Sequence, residues 1–136
     1  MLKFSFFFIL LTTQTWAKGS VMIDEVIQSY FQGYQQADVT LIKKAFHPNT
    51  RLLSVDQGKL DVTEMNVWLK NLEDRLLRGD IRKGTLSIIS VDETHETAMA
   101  KIKIRFESFE FTDYLSLLKI DGEWIIVGKI YHYQEI

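Results

Sequence analysis

No cysteine occurs in these 136 residues. No disulfide can therefore staple the fold in an oxidising compartment, and no thiol is available for a lipid anchor. Proline appears once, at Pro48, and there is no low-complexity tract, linker or internal repeat. Charge of one sign is missing too: 18 acidic residues face 16 basic ones. Without a basic patch, nucleic acid and anionic membranes are not expected partners. The three histidines, His47, His95 and His132, lack a ligand-spaced pair, so no metal site or cofactor is expected. Nucleophile elbow, phosphate loop and dinucleotide fingerprint are likewise absent. The apolar run Phe4–Leu11 is far short of the ~20 residues that span a bilayer, so no stable membrane anchor is expected.

What is there begins with a leader pattern. Lys3 supplies a positive start, Phe4–Leu11 an apolar core, and Thr15-Trp16-Ala17 a small-residue cleavage signature. The reading is a signal peptide over residues 1–17, cleaved after Ala17, with a periplasmic or secreted mature chain. Residues 18–136 suffice for a single domain. With no disulfides, that domain must be held by its core and by association.

Helical spacing of Ile23, Val26, Ile27, Tyr30, Phe31 and Tyr34 predicts a first helix over Val21–Gln36, with Ser20 as N-cap. Asp38 caps a short second helix, Val39–Phe46, with Leu41, Ile42 and Ala45 inward, and Pro48 ends it. Arg51–Val55 and Lys59–Val62 read as a short hairpin. Thr63 caps a third helix, Glu64–Arg78, with Met65, Trp68, Leu69, Leu72 and Leu76 on one face and Gly79 at its end. Strands follow at Thr85–Val91 and Ala98–Phe109. In the second, Ala98, Ala100, Ile102, Ile104 and Phe106 alternate with Lys101, Lys103, Arg105 and Glu107. Helices followed by antiparallel strands indicate an α+β domain with helices on one face of a sheet.

The stretch Phe111–Tyr133, FTDYLSLLKIDGEWIIVGKIYHY, is a hairpin about Asp121-Gly122, a dipeptide suited to a type I′ turn. Its strands are apolar on both faces, so both need cover. The protein's own helices cover one face, and a second copy of the chain most simply covers the other. Counting back from a two-residue turn sets Leu115 opposite Gly128, Asp113 opposite Ile130 and Phe111 opposite His132. Asp113 and His132 then become diagonal neighbours on the face of Leu115, Leu117, Ile126 and Ile130. A carboxylate beside an imidazole in an apolar setting can act as an acid–base pair, or can serve as a polar pair that fixes register.

Three segments carry a resemblance. They are Tyr34-Gln35-Gln36-Ala37-Asp38, then Ala45-Phe46-His47-Pro48-Asn49-Thr50-Arg51-Leu52, and the hairpin from Asp113 through Trp124, Ile126 and Lys129 to His132. Together they resemble the cone-shaped superfamily of nuclear transport factor 2, ketosteroid isomerase and SnoaL-like cyclases, and within it the lumazine-binding family. The resemblance implies a curved antiparallel sheet with three N-terminal helices over its concave face, lining a pocket. Gly128 departs from the larger residue expected there and either widens that pocket or marks a bulge.

Three functions follow as expectations. The first is an exported, dimeric binding domain holding a small apolar or heterocyclic molecule among Tyr30, Tyr34, Phe46, Trp68, Leu115, Leu117 and Ile130, with Asp113 and His132 orienting its polar edge. The second is an isomerase or cyclase using Asp113 and His132 as acid and base, with Tyr30 or Tyr34 as a phenol donor. The third is an interaction module with a filled interior. His47 is expected to make local hydrogen bonds before Pro48, His95 to lie in an exposed loop, and Trp124 to join the core.

Overall fold

A computed structural model describes residues 16–136, with side chains from residue 22 onward. The leader lies almost wholly outside the described residues. Helix α1 spans Trp16–Gln36, α2 Val39–Ala45 and α3 Met65–Leu77. Strands β1 Arg51–Asp56 and β2 Lys59–Glu64 form the short hairpin. Then come β3 Thr85–Thr94, β4 Thr97–Arg105, β5 Phe109–Ile120 and β6 Glu123–Glu135. Among the described residues no helix is long and apolar enough to cross a membrane.

The six strands form one sheet in the order β2-β1-β6-β5-β4-β3. The expectation of a purely antiparallel sheet is corrected at one joint, where β1 runs parallel to β6 with Leu52 beside Lys129 and Leu53 beside Ile130. The β2 strand, α3 and β3–β5 all lie between β1 and β6 in the chain, a connection long enough to permit the parallel pairing. The helices pack on one face of the curved sheet. Ile23, Ile27, Tyr30, Ile42, Phe46, Leu72, Ile102, Ile104, Leu115, Leu117 and Ile126 form the centre of the core.

Local signals explain most boundaries. Asp38 Oδ1 accepts from the amides of Thr40 and Leu41, satisfying two otherwise unpaired donors at the start of α2. Gly33 lets α2 approach α1, because a Cβ there would sit 2.9 Å from Ile42 Cδ1. Asp121 and Gly122 both take positive φ, 52° and 80°, as a type I′ turn requires. Two caps differ from expectation. Helix α1 runs through residue 20, so Ser20 lies within it rather than at its start. Thr63 pairs with Leu52 in β2, and Glu64 takes the N-cap position of α3 without a side-chain cap bond. The inner face of α3 is Met65, Trp68, Leu72 and Arg75, whereas Leu76 is exposed. The guanidinium of Arg75 is accepted inside because it finds backbone carbonyls there.

The decisive feature lies in the final hairpin. From the turn back to Leu117↔Ile126 the pairing follows the simple count, but the next pair is Ser116↔Gly128. Val127 is an extra residue, a β-bulge. Beyond it, every residue of β6 has changed face relative to the plain register. Leu115 opposes Lys129, Asp113 opposes Tyr131 and Thr112 opposes His132. The bulge is anchored from the other edge of β6, where the Ile126 carbonyl accepts from the His47 amide at 2.8 Å and from Thr50 Oγ1 at 2.9 Å.

Candidate functional site

Because of the bulge, Lys129 rather than His132 meets Asp113 at the centre of the core. Asp113 is fully buried, Tyr30 is 1% exposed and Lys129 5%. Helix α1 presents Tyr30 to this point and β5 presents Asp113. The Tyr30 hydroxyl donates to Asp113 Oδ2 at 2.6 Å. Lys129 Nζ lies 3.1 Å from the same oxygen and also donates to the Tyr30 hydroxyl oxygen. Four rings surround the ammonium, with centroids 4.8 Å away for Tyr30 and Tyr131, 5.5 Å for Trp68 and 5.6 Å for Phe111. Their electron-rich faces and the carboxylate replace the water that a buried cation has lost.

The electrostatics follow from burial. Desolvation pushes the Tyr30 phenol well above its ordinary pKa, and the adjacent Asp113 carboxylate pushes the same way. Desolvation lowers the pKa of Lys129, against the pull of Asp113, which favours the ammonium. Asp113 Oδ1 has no partner at all. A buried carboxylate oxygen without a donor is costly, and such a group in a native structure calls for a reason.

The expected pairing of Asp113 with His132 is thus corrected. His132 is exposed on the opposite face of the sheet, in a groove of about 610 Å³ shared with Leu53, Val55, Leu60, Tyr114, Ile130 and Tyr133. Ile130, expected to line the inner pocket, is corrected in the same way: it is 53% exposed on the outer face. Tyr30, Phe46, Trp68, Leu115 and Leu117 do converge on the inner face. Tyr30, Phe46 and Trp68 pack edge to face, with centroids 5.0–6.0 Å apart, so these three rings fill space against one another.

Tyr34 lies one turn further along α1 and belongs to a separate cluster. Its hydroxyl accepts from Arg82 Nη1 at 2.7 Å, and Arg75 stacks 4.8 Å from its ring centroid. Arg75 also donates to the Tyr34 carbonyl at 2.9 Å and to the Asp80 carbonyl at 3.2 Å. Arg82 holds both carboxylate oxygens of Asp80. This cluster ties the loop after α3 to the end of α1. Burial raises the Tyr34 phenol pKa, and Arg82 and Arg75 oppose the shift.

His47 makes the local contact expected of it, its Nδ1 accepting from the Asn49 amide at 3.2 Å. His95 sits exposed in the β3–β4 turn, and Trp124 is in the core with its indole N–H unpartnered. Sequence reasoning passed over Lys129, Arg75 and Arg82. The available signal for Lys129 was a charge inside an apolar strand, directly after a glycine able to mark a bulge.

Comparison with solved structures confirms the architecture. A nuclear transport factor 2-like protein of unknown function from Shewanella baltica OS155 is 27% identical, with a TM-score of 0.77 over 88% of this chain and 97% of that one. One from Silicibacter pomeroyi DSS-3, also of unknown function, gives 0.77 at 19% identity, covering 87% and 98%. Among curated proteins, aldolase FrzH of a Cladobotryum species is 25% identical over 103 residues, 76% of this chain and 82% of that protein. The α+β fold is therefore the nuclear transport factor 2-like cone. The family model described as "Putative lumazine-binding" matches residues 18–132, and the chain belongs to that family.

Proposed function

We propose that this chain is an exported, dimeric domain that binds a small heterocyclic molecule at the Lys129–Tyr30–Asp113 centre. The observation that carries the reading is Asp113 Oδ1, fully buried and without a donor. Its other oxygen is occupied by Tyr30 and Lys129, so Oδ1 is the free acceptor for a ligand N–H or O–H. Flat heterocycles with ring N–H groups, lumazine among them, present such a donor beside carbonyl acceptors. The partly buried rings of Phe111 and Tyr131 border the same point and would supply stacking surface, the division of labour common in small-molecule sites. The family description supports a ligand of this kind.

The test is titration with lumazine, followed by tryptophan emission, because Trp68 borders the site. Asp113→Asn is the informative variant. Its amide oxygen must serve Tyr30 and Lys129, which places an NH2 group where Oδ1 was and turns the acceptor into a donor. Saturable quenching in the wild type that disappears in a folded Asp113→Asn protein supports the site. Equal quenching in both removes Asp113 from it.

Export is supported by the leader composition of residues 1–17. An N-terminus at Lys18 in protein from the periplasmic or secreted fraction would establish it. Dimerisation is supported by the exposed outer face. Val55, Leu60, Val62, Met99, Tyr114, Leu118 and Ile130 are all more than a third exposed there, a contiguous apolar surface of the sort that marks an interface.

A second reading is acid–base catalysis at a carbonyl substrate. The short Tyr30–Asp113 hydrogen bond and the relative named as an aldolase favour it. Asp113 and Tyr30 would then take the roles expected of Asp113 and His132. Turnover of an enolisable ketone, abolished in Tyr30→Phe, would support this reading. Deuterium exchange at the α-carbon no faster than in buffer would remove it.

A further inference from the structure

We infer that Lys129 is an amine nucleophile that forms a Schiff base with a carbonyl compound entering the Asp113 site. The inference rests on the proposed ligand site and names one class of compound it accepts, aldehydes and ketones.

The geometry places every group this step needs around one atom. Lys129 Nζ is 3.1 Å from Asp113 Oδ2 and bonded to the Tyr30 hydroxyl. Asp113 can take one ammonium proton, leaving a neutral amine. The amine nitrogen attacks the carbonyl carbon, forming the C–N bond, and after proton transfer within the adduct a carbinolamine results. The protonated Asp113, adjacent to Tyr30, returns its proton to the carbinolamine oxygen, which leaves as water. Ammonium and carbonyl have become iminium and water, and Asp113 ends as it began, ionised. No oxidant or further reactant is required.

The surroundings favour this chemistry over a purely structural ion pair. A buried lysine is rare, because its charge must be desolvated, and an apolar core of this size could be filled more simply by a methionine. Against the pull of Asp113, burial lowers the pKa of Lys129, the direction of proton loss that the step needs. Phe111 and Tyr131 are the partly buried members of the ring cage, and Tyr131 also lines the groove that holds His132, so this edge is the approach to Nζ that Schiff-base formation requires. The unpartnered Asp113 Oδ1 faces no competing donor and can hold a hydroxyl or enol of the same molecule.

Pentane-2,4-dione is the probe, since a 1,3-diketone condensing with an amine gives a conjugated enaminone with a near-ultraviolet band. The full-length mature chain is incubated with it at neutral pH, and the adduct is read by absorbance, intact mass and peptide mapping. The expected result is one adduct of diketone minus water, mapped to Lys129. It is absent in Lys129→Arg and retained in Lys119→Arg, whose side chain is exposed at the hairpin tip. Mapping the wild-type adduct decides the matter even if Lys129→Arg fails to fold. No adduct, or adducts spread over surface lysines without Lys129, would overturn the inference. If lumazine titration still saturates in that protein, the ligand site stands without the nucleophile; if it does not, both fall.

Discussion

Lys129 Nζ and Asp113 Oδ2 lie 3.1 Å apart, joined across the β5–β6 ladder by residues that are diagonal, not opposite, neighbours. Removing one partner of a buried pair strands the other charge, at a cost of about 3–5 kcal/mol. Lys129→Ala is expected to lose stability in that range, read by urea denaturation. Lys129→Met combined with Asp113→Leu should recover most of the loss, since apolar replacement of both charges is often neutral. A double variant no more stable than the single would show that packing, not charge, dominates here.

The bulge makes a separate prediction. Gly128 has no positive φ, and a Cβ there would meet Ser116 Cβ at 3.5 Å, an ordinary contact. Gly128→Ala should change stability by no more than about 0.5 kcal/mol, like other unstrained substitutions. Deleting Val127 removes the extra residue and keeps Gly128 opposite Ser116 and Lys129 opposite Leu115, so Lys129 should still reach Asp113 and the loss on Lys129→Ala should persist in the deleted background. Thermal melting of Lys129→Ala with and without Val127 checks this; a deletion that abolishes the effect of Lys129→Ala would contradict the bulge.

Alkaline pH should unfold the protein through Tyr30. Its pKa is raised in the folded state, so the contribution is complete below about pH 10, the ordinary tyrosine value, and is lost as pH climbs toward the raised one. Lys129 works in the opposite sense. Its lowered folded pKa means stability rises with pH between that value and the ordinary lysine value. Stability measured against pH should therefore fall less steeply above pH 10 in Tyr30→Phe than in the wild type. Parallel curves would place the phenol in water.

Arg75 is a candidate for a large structural effect outside the Lys129 centre. It donates to the carbonyls of Tyr34 and Asp80 from a buried position. Hydrogen bonds from charged donors contribute about 1.5–3 kcal/mol each. Arg75→Ala is expected to destabilise by roughly that amount, and Arg75→Lys to restore little, since one ammonium cannot span both carbonyls. Full rescue by lysine would mean that charge alone matters.

The outer face should report on association. Val55→Glu together with Ile130→Glu places charge on two exposed apolar positions without touching the core. Analytical ultracentrifugation should show a dimer for the wild type and a monomer for the variant, with unchanged circular dichroism. A wild-type monomer would contradict the proposed pairing.

The cone was legible in the chain because its signals are local and agree. Helical spacing around Tyr30, the Asp38 cap, the Asp121-Gly122 turn and the alternation from Ala98 to Phe106 each specify one element. The wrong partner for Asp113 has an equally specific cause. On β6, Ile125, Ile126, Val127, Ile130 and Tyr131 make both faces apolar, so hydrophobic alternation cannot reveal which residues point inward. A single inserted residue then exchanges the faces without disturbing the pattern. Only Gly128, and a lysine where an apolar residue would pack, betray the exchange. The position of Arg75 was hidden for a related reason. Its partners are carbonyls of distant residues, which leave no mark on the helical period of α3.

The most direct test of the central claim is native mass spectrometry of protein purified gently from the periplasmic or secreted fraction, comparing wild type with Asp113→Asn. The account predicts a discrete noncovalent adduct on the wild type that the variant lacks. An adduct retained at equal occupancy in Asp113→Asn would contradict it.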